Sequence, residues 1–321
     1  MSRRLHRWAL QRREGQRHVK PRGTLRCTAM PNPDATHEQS SPWEDVQPSA
    51  WKITRWLLLH GIVIGSFVAA PTFRISSLAW LSLSVFVVSC IGVSVGMHRG
   101  IIHGAFQMPA WFRACVVYIC CLAGMGGPSS FIRMHRERDY HQDRATCPSI
   151  FGYRLDPFRS YVQMVFCVYT GPPVPDHHPL PKSDAWMRFL DRTYLLAPIP
   201  GWAFLSFVGG WDAVWWGGLL PWALTQNLFW ASNYLVHTRG YVTYPRPGHA
   251  EQGYNQRVLG AMSFGEGFHN NHHQFPWSAR MGIGQLEIDL GYATIRVLRA
   301  LGVVWNVRAA DAGQGVNQAA S

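Results

Sequence analysis

Residues 265–273 read Gly-Glu-Gly-Phe-His-Asn-Asn-His-His. The histidines His269, His272 and His273 stand at i, i+3 and i+4, positions that share one face of a helix. Neutral imidazole is the commonest metal ligand, and three converging imidazoles are hard to explain by packing alone. Matching groups lie upstream. His98 and His103 frame His-Arg-Gly-Ile-Ile-His directly after an apolar run, residues 78–97. An i, i+5 pair does not share a strict α-helical face, so the pair is expected where a helix leaves a membrane and its last turn opens. His135 begins His-Arg-Glu-Arg-Asp-Tyr-His, and Asn233 and His237 are i, i+4 at the end of another apolar run. A lone histidine at a helix end is more often a cap or a hydrogen-bond partner. Together these residues are too many for one tetrahedral zinc. Many nitrogens and few carboxylates suit iron, and suggest two ions rather than one.

The elements that must position these side chains are apolar. The chain has 321 residues, of which 47% are hydrophobic, with 15 Trp, many of them in apolar segments. Four stretches are candidates to span a bilayer, which needs ~20 apolar residues each: 51–70, 77–97, 196–210 and 213–235. They pair as two hairpins turning at 70–74 and 209–212. Those turns hold one basic residue between them, whereas Lys and Arg crowd the termini and the histidine segments. The positive-inside rule then places both termini and every histidine group on the cytoplasmic side. Residues 112–127 are apolar but interrupted and end in Gly-Gly-Pro; they are expected to dip into the membrane or pack on the bundle. A full span there would put His135 on the wrong side from His98. The expected fold is an all-α integral membrane protein, four transmembrane helices in two hairpins, with a cytoplasmic helical cap.

On these residues the chain resembles the membrane-bound fatty acid desaturases, the acyl-CoA desaturase branch in particular. That family carries three histidine boxes, HxxxxH, HxxHH and HxxHH, with an Asn-x-x-x-His between the last two. His98 to His103 match the first box, His269, His272 and His273 the third, and Asn233 with His237 the intervening pair. The similarity runs over about residues 51–307 and includes Ser278-Ala279-Arg280 and the Asp289-Leu-Gly-Tyr stretch. The second box departs: Arg138 and Asp139 stand where two histidines are expected, and Cys147-Pro148-Ser149 replaces Asp-Pro-His. The resemblance implies two non-haem irons held by His98, His103, His135, His237, His269, His272 and His273, with Asp139 or His141 completing the set. It gives Asn233 a role through bound water. Arg138 is expected in a salt bridge, on an anionic substrate group or beside a ligand. Glu266 is expected to orient an imidazole or to start a helix. The implied chemistry uses dioxygen and two electrons to remove hydrogens from an acyl chain on CoA or lipid. No iron–sulfur cysteine cluster, dinucleotide fingerprint or haem-domain signature is present, which implies an external ferredoxin- or cytochrome-type donor with its reductase. The alternatives are a diiron hydroxylase or desaturase of a smaller molecule on the same scaffold, and a non-catalytic membrane protein with a structural metal.

The net charge is +12. With no nucleic-acid fold signature, the charge is read as cytoplasmic loops against anionic lipid or as attraction to an acidic carrier or donor protein, and nucleic acid is excluded as a partner. Seven scattered cysteines without a spacing pattern argue for reduced thiols. Residues 1–50 are expected to be a disordered or mis-assigned extension, with Met30 as a possible start; 51–308 form the domain and 309–321 a disordered tail. His177-His178 sit in a proline-dense loop. His60, inside the first apolar stretch, is expected to be a hydrogen-bonded core residue rather than a ligand.

Overall fold

A computed structural model describes residues 43–174 and 183–311, all within the unit Ser41–Ser321. The long apolar runs form helices. Helix α1, Ala50–Ser66, starts at Ser49, whose hydroxyl accepts from the Lys52 amide at 3.3 Å, satisfying one of the donors a helix start leaves free. A 3-10 turn, Phe67–Ala69, ends it. Helix α2, Ile75–Val85, returns and runs directly into a π-helical segment, Phe86–Ile102. Among the described residues two helical stretches, Ala50–Ala69 and Ile75–Ile102, are long and apolar enough to cross a membrane.

In the second pair one arm is short and the other is interrupted by polar residues. Helix α8, Pro198–Val214, breaks at Gly210 (φ 62°, ψ −155°), inside the expected 209–212 turn. That backbone conformation is open to glycine without strain. The arm before the break is about 18 Å long at 1.5 Å per residue, short of a ~30 Å bilayer core. The arm after it passes through a π-helical segment, Trp215–Leu219, into helix α9, Leu220–Thr238. Gln226 and Asn227 interrupt its apolar run. The two hairpin turns meet: Trp211 Nε1 donates to Ala69 O at 2.5 Å, Ser77 Oγ to Asp212 Oδ1 at 3.2 Å, and Trp215 Nε1 to Ser66 Oγ at 3.1 Å. Leu59, Val63, Trp215, Leu219 and Trp222 form the core between the hairpins. His98, His103 and His237 therefore lie at the far ends of the helices that leave these turns. Apolar side chains on all four arms face outward, among them Leu58, Ile64, Leu83, Phe207 and Leu228.

The remaining helices gather at the histidine end. They are α3, Ala110–Cys121; α4, Pro128–Gln142; the short α5, Ser149–Gly152; α6, Pro157–Phe166; α7, Ala185–Thr193; α10, Arg257–Met262; α11, His269–Gln274; and α12, Leu290–Ala300. At about 18 Å, α3 is too short to span a bilayer. It packs along the π-helical segment instead. A Cβ on Gly96 would lie 2.4 Å from Val116 Cβ, and one on Gly92 2.6 Å from Ile119 Cγ2, so glycine at these i, i+4 positions permits the approach. Asp191 Oδ1 accepts from Ser129 N at 2.9 Å and anchors the start of α4 to α7.

Three sequence expectations change. The fold is not wholly helical: Val46–Pro48 (β1) and Cys167–Tyr169 (β2) pair antiparallel, with Gln47 opposite Val168. Three-residue strands are too short to show an alternating pattern. Val46 is buried with Ile150, Phe151 and Cys167, so the folded region begins before residue 51. At the other end, Ala310 is buried beside Phe275 and Ile283, and its amide donates to Ser278 Oγ at 2.9 Å. Met30, His177 and His178 lie outside the described residues. His60 does stack on Trp56, with Nδ1 2.9 Å from Trp56 O and Nε2 2.8 Å from Asn227 Nδ2.

Candidate metal centre

The first histidine pair shows why the helix changes type. A π-helix bonds i to i+5, and the His103 amide donates to His98 O at 3.1 Å. This winding brings i and i+5 onto one face, so the pair needs no opened last turn. Long π-helical segments are rare, and π-bulges cluster at functional sites.

Helix α11 carries the third group on six residues, too few to be stable alone. The two asparagines between its histidines hold it. Asn270 Oδ1 accepts from Thr243 N and Tyr244 N at 2.8 and 2.7 Å, and its Nδ2 donates to Tyr244 O and Gln252 O. Asn271 Nδ2 donates to Met281 O at 2.8 Å and Glu287 Oε2 at 2.7 Å, while its Oδ1 accepts from Asn255 Nδ2 at 2.7 Å. The asparagines fix the helix to its surroundings and leave the histidine face free to converge.

Seven histidines converge in two groups. His98, His103, His135 and His272 form the first; His237, His269 and His273 form the second. Within each, one possible ligand atom per residue lies within 4.8 Å of all the others. Ring centroids in the first group are 4.7–5.0 Å apart for the recorded pairs. All seven side chains keep one buried ring nitrogen without a hydrogen-bond partner: Nε2 of His98, His103, His269 and His273, and Nδ1 of His135, His237 and His272. An unsatisfied buried polar atom costs about 1–3 kcal/mol, so seven in one place would be prohibitive without a shared partner. Burial holds His103, His237, His269 and His272 well below the ordinary histidine pKa, and His135 at about 4. Neutral imidazoles with free lone pairs are the form that binds metal. The residues present fit a metal centre of two ions.

Carboxylates support the first group. Glu266 Oε2 lies 2.6 Å from His98 Nδ1, and Glu266 Oε1 accepts from Ser94 Oγ at 2.5 Å. Burial pushes the Glu266 pKa up, but His98 and Arg99 outweigh it and hold it at about 2. The ionised carboxylate favours the His98 proton on Nδ1 and leaves Nε2 with a free lone pair, an arrangement typical of metal-bound histidine. Asp139 Oδ2 lies 3.0 Å from His135 Nδ1, though not in line for a hydrogen bond, and 4.0 Å from His103 Nε2. Burial raises the Asp139 pKa; His135 and Arg138 more than reverse this and hold it well below the carboxylate range.

Arg138, one turn from His135 on α4, is buried between the groups. Its Nη2 lies 2.8 Å from His135 Nε2, and its Nη1 donates to Asn233 Oδ1 at 2.8 Å. Asn233 is thereby engaged by Arg138 and, through Nδ2, by Phe229 O at 2.9 Å; it is not part of either group. The structure does not bring His141 to the site. Six residues beyond His135 it points roughly 120° away around the helix, stacked on Phe151 at 5.3 Å and edge-on to Tyr169.

Two supports are absent from the sequence reading. Arg99, fully buried, donates to Asp289 at 3.0 and 3.2 Å, to Ala279 O at 2.9 Å and to Phe264 O at 2.7 Å. It clamps the first histidine pair to the segment after the third. Its position directly after His98 was the available signal. Asp143 pairs with Arg246 and lies 3.9 Å from His273 Nδ1.

A cavity of about 320 Å³ opens from the histidines into the helix bundle, with His98, His135, Arg138 and His269 at one end and Leu81, Leu224 and Leu228 among its walls. A second, of about 840 Å³, is lined by Lys52, Arg55, Arg133 and Glu137. Phe131 and Phe229 line both, their rings 6.0 Å apart.

Comparison with known proteins agrees with this geometry. Residues 75–282 match the family model described as fatty acid desaturase. The chain is 30% identical over 269 residues to the sn-1 stearoyl-lipid 9-desaturase of Anabaena variabilis, covering 80% of this chain and 94% of that one. It is 28% identical to the sn-2 palmitoyl-lipid 9-desaturase of Nostoc sp. (strain 36), with 79% and 90% covered. It is 30% identical to the icosanoyl-CoA 5-desaturase of Limnanthes douglasii, with 78% and 70% covered. The chain belongs to the fatty acid desaturase family and is an oxidoreductase that acts on fatty acyl chains.

Proposed function

We propose that the chain is an integral membrane diiron desaturase, which introduces a double bond into the acyl chain of a lipid or acyl thioester at the two histidine groups. The observation that carries this is seven buried, partnerless imidazole nitrogens in two groups at the mouth of an apolar cavity. Side chains have no oxidant strong enough for an unactivated methylene; two bound irons, with dioxygen and two electrons from an external ferredoxin- or cytochrome-type donor, would supply it. His98, His103, His135 and His272 hold one ion, with Asp139 at its edge, and His237, His269 and His273 hold the other. Glu266 fixes His98 by keeping its proton on Nδ1. Leu81, Leu224 and Leu228 line the route of the acyl chain and exclude water from the reacting carbons.

Two features support a four-span reading with the histidines together on one side, which the positive-inside rule makes the cytoplasmic one. The hairpin turns meet at one end and the histidine groups lie at the other, and outward-facing apolar side chains cover all four arms. In such a layout the short arm before Gly210 crosses with help from the protein around it.

The test is the fatty-acid profile of cells expressing the chain beside a His272→Ala control. The expected result is a new unsaturated acid with the intact protein and none with the variant, at equal amounts of membrane-inserted protein. An unchanged profile with iron-loaded protein would refute acyl desaturation; a hydroxylated acid would keep the site and change the reaction.

A further inference from the structure

We infer, on the paired-metal reading above, that the two groups hold their ions with unequal affinity, the first tightly and the second weakly, and that Arg138 is the cause. The first group has four imidazoles and two carboxylates: Glu266, 2.6 Å from His98 Nδ1, and Asp139, 4.0 Å from His103 Nε2. Both carboxylates offset the charge of a dication. The second group has three imidazoles, and among the described residues no carboxylate lies closer than 3.9 Å to any of their ring nitrogens. Its nearest described carboxylate is Asp143, 3.9 Å from His273 Nδ1 and already paired with Arg246. Arg138, 3% exposed, lies between the groups, with Nη2 2.8 Å from His135 Nε2 and Nη1 on Asn233, four residues before His237; at the first group Asp139, 3.5 Å from its Nε, and Glu266 offset its charge, and the second group has no such carboxylate beside it.

Arginine has five donors, no lone pair and a charge that proteins do not remove. At this position it contributes no ligand and opposes the second ion in a buried setting where little solvent screens it. Three histidines can hold a metal with an open position, so the second group binds, but against this field. The consequence for the enzyme is a centre that is completed only when free metal is sufficient. The first ion stays bound through purification, while the second exchanges.

The experiment is a Co2+ titration of metal-free, full-length protein in lipid nanodiscs, followed by visible absorbance, with no turnover needed. The wild type should bind two ions in two steps at least about ten-fold apart, the scale on which groups next to the ligands change metal affinity. His237→Ala should delete only the weak step. Arg138→Gln, which removes the charge, should tighten the weak step by about ten-fold or more and leave the tight step in place as the sign of an intact fold. Arg138→Lys, which keeps the charge but not the guanidinium bonds, should leave the weak step weak. One step of equal affinity in the wild type, or a weak step unmoved in folded Arg138→Gln, overturns the inference while leaving the paired centre standing. No Co2+ binding at all would remove the paired-centre reading and this inference with it.

Discussion

Replacing Glu266 with Gln isolates what a carboxylate behind a ligand contributes. The side chain keeps its shape and loses its charge. Two donors point at it in the wild type: His98 Nδ1 at 2.6 Å and Ser94 Oγ at 2.5 Å, one on each oxygen. A carboxamide has one oxygen, so it serves His98 only if its NH2 turns to Ser94, whose hydroxyl must then rotate to accept. The His98 contact falls from a charge-assisted hydrogen bond, about 1.5–3 kcal/mol, to a neutral one, about 0.5–1.5 kcal/mol. The difference of roughly 1–1.5 kcal/mol corresponds to about ten-fold in affinity of the first group for its ion. Losing the charge that faces Arg99 at 3.6 Å adds little, because Asp289 still pairs with that guanidinium. The assay is a metal titration of the metal-free variant beside wild type, with product formation measured at saturating metal. The tight step should weaken by about ten-fold and the weak step should not move. Glu266→Ala should weaken it further, because His98 is then free to take the other tautomer. A tight step in Glu266→Gln equal to the wild type would refute the assignment of Glu266 as the group that orients His98.

Other outcomes follow from the same contacts. Asp289→Ala takes from buried Arg99 the carboxylate it bonds to, leaving Glu266 at 3.6 Å as its remaining counter-charge, and removes the acceptor of the Met281 and Tyr292 amides; breaking a buried pair from one side costs about 3–5 kcal/mol, to be read as a lower melting temperature and loss of both metal steps, whereas unchanged melting would refute the clamp. His141→Ala should leave metal content and product unchanged; a lost ion would place His141 at the site after all. The metal-free protein should lose stability as pH falls from about 6.5 towards 4. Its buried histidines have folded pKa values below the unfolded one, with His135 at about 4. The unfolded chain therefore takes up protons in this window that the folded chain refuses, up to ~1.4 kcal/mol per histidine per pH unit. Melting curves from pH 8 to 5 test this; a flat profile would mean that the imidazoles are not held neutral.

The spacing of His269, His272 and His273 is a local property, readable because a helix puts i, i+3 and i+4 together wherever it stands. The same holds for the apolar runs that form the long helices, for the Gly210 break and for the resemblance carried by the histidine boxes. The winding that joins His98 to His103 was not legible. A π-helix forms no pattern that an α-periodic reading detects, and Gly92 and Gly96 show their purpose only when α3 lies against them. The grouping of the histidines was equally hidden. His272 joins His98, His103 and His135, while its sequence neighbours His269 and His273 join His237, because ring nitrogens one residue apart on α11 face different elements. Asp139 and His141 both looked able to complete the set; the rotation of α4 brings Asp139 to His135 and His103 and turns His141 into an aromatic pocket. Composition and spacing alone thus determined that this chain carries histidine groups beside and at the ends of apolar helices. Only the tertiary structure decided which nitrogens meet, which carboxylates stand behind them and that a guanidinium lies between the two groups, because convergence depends on how separate elements pack and no single element encodes it.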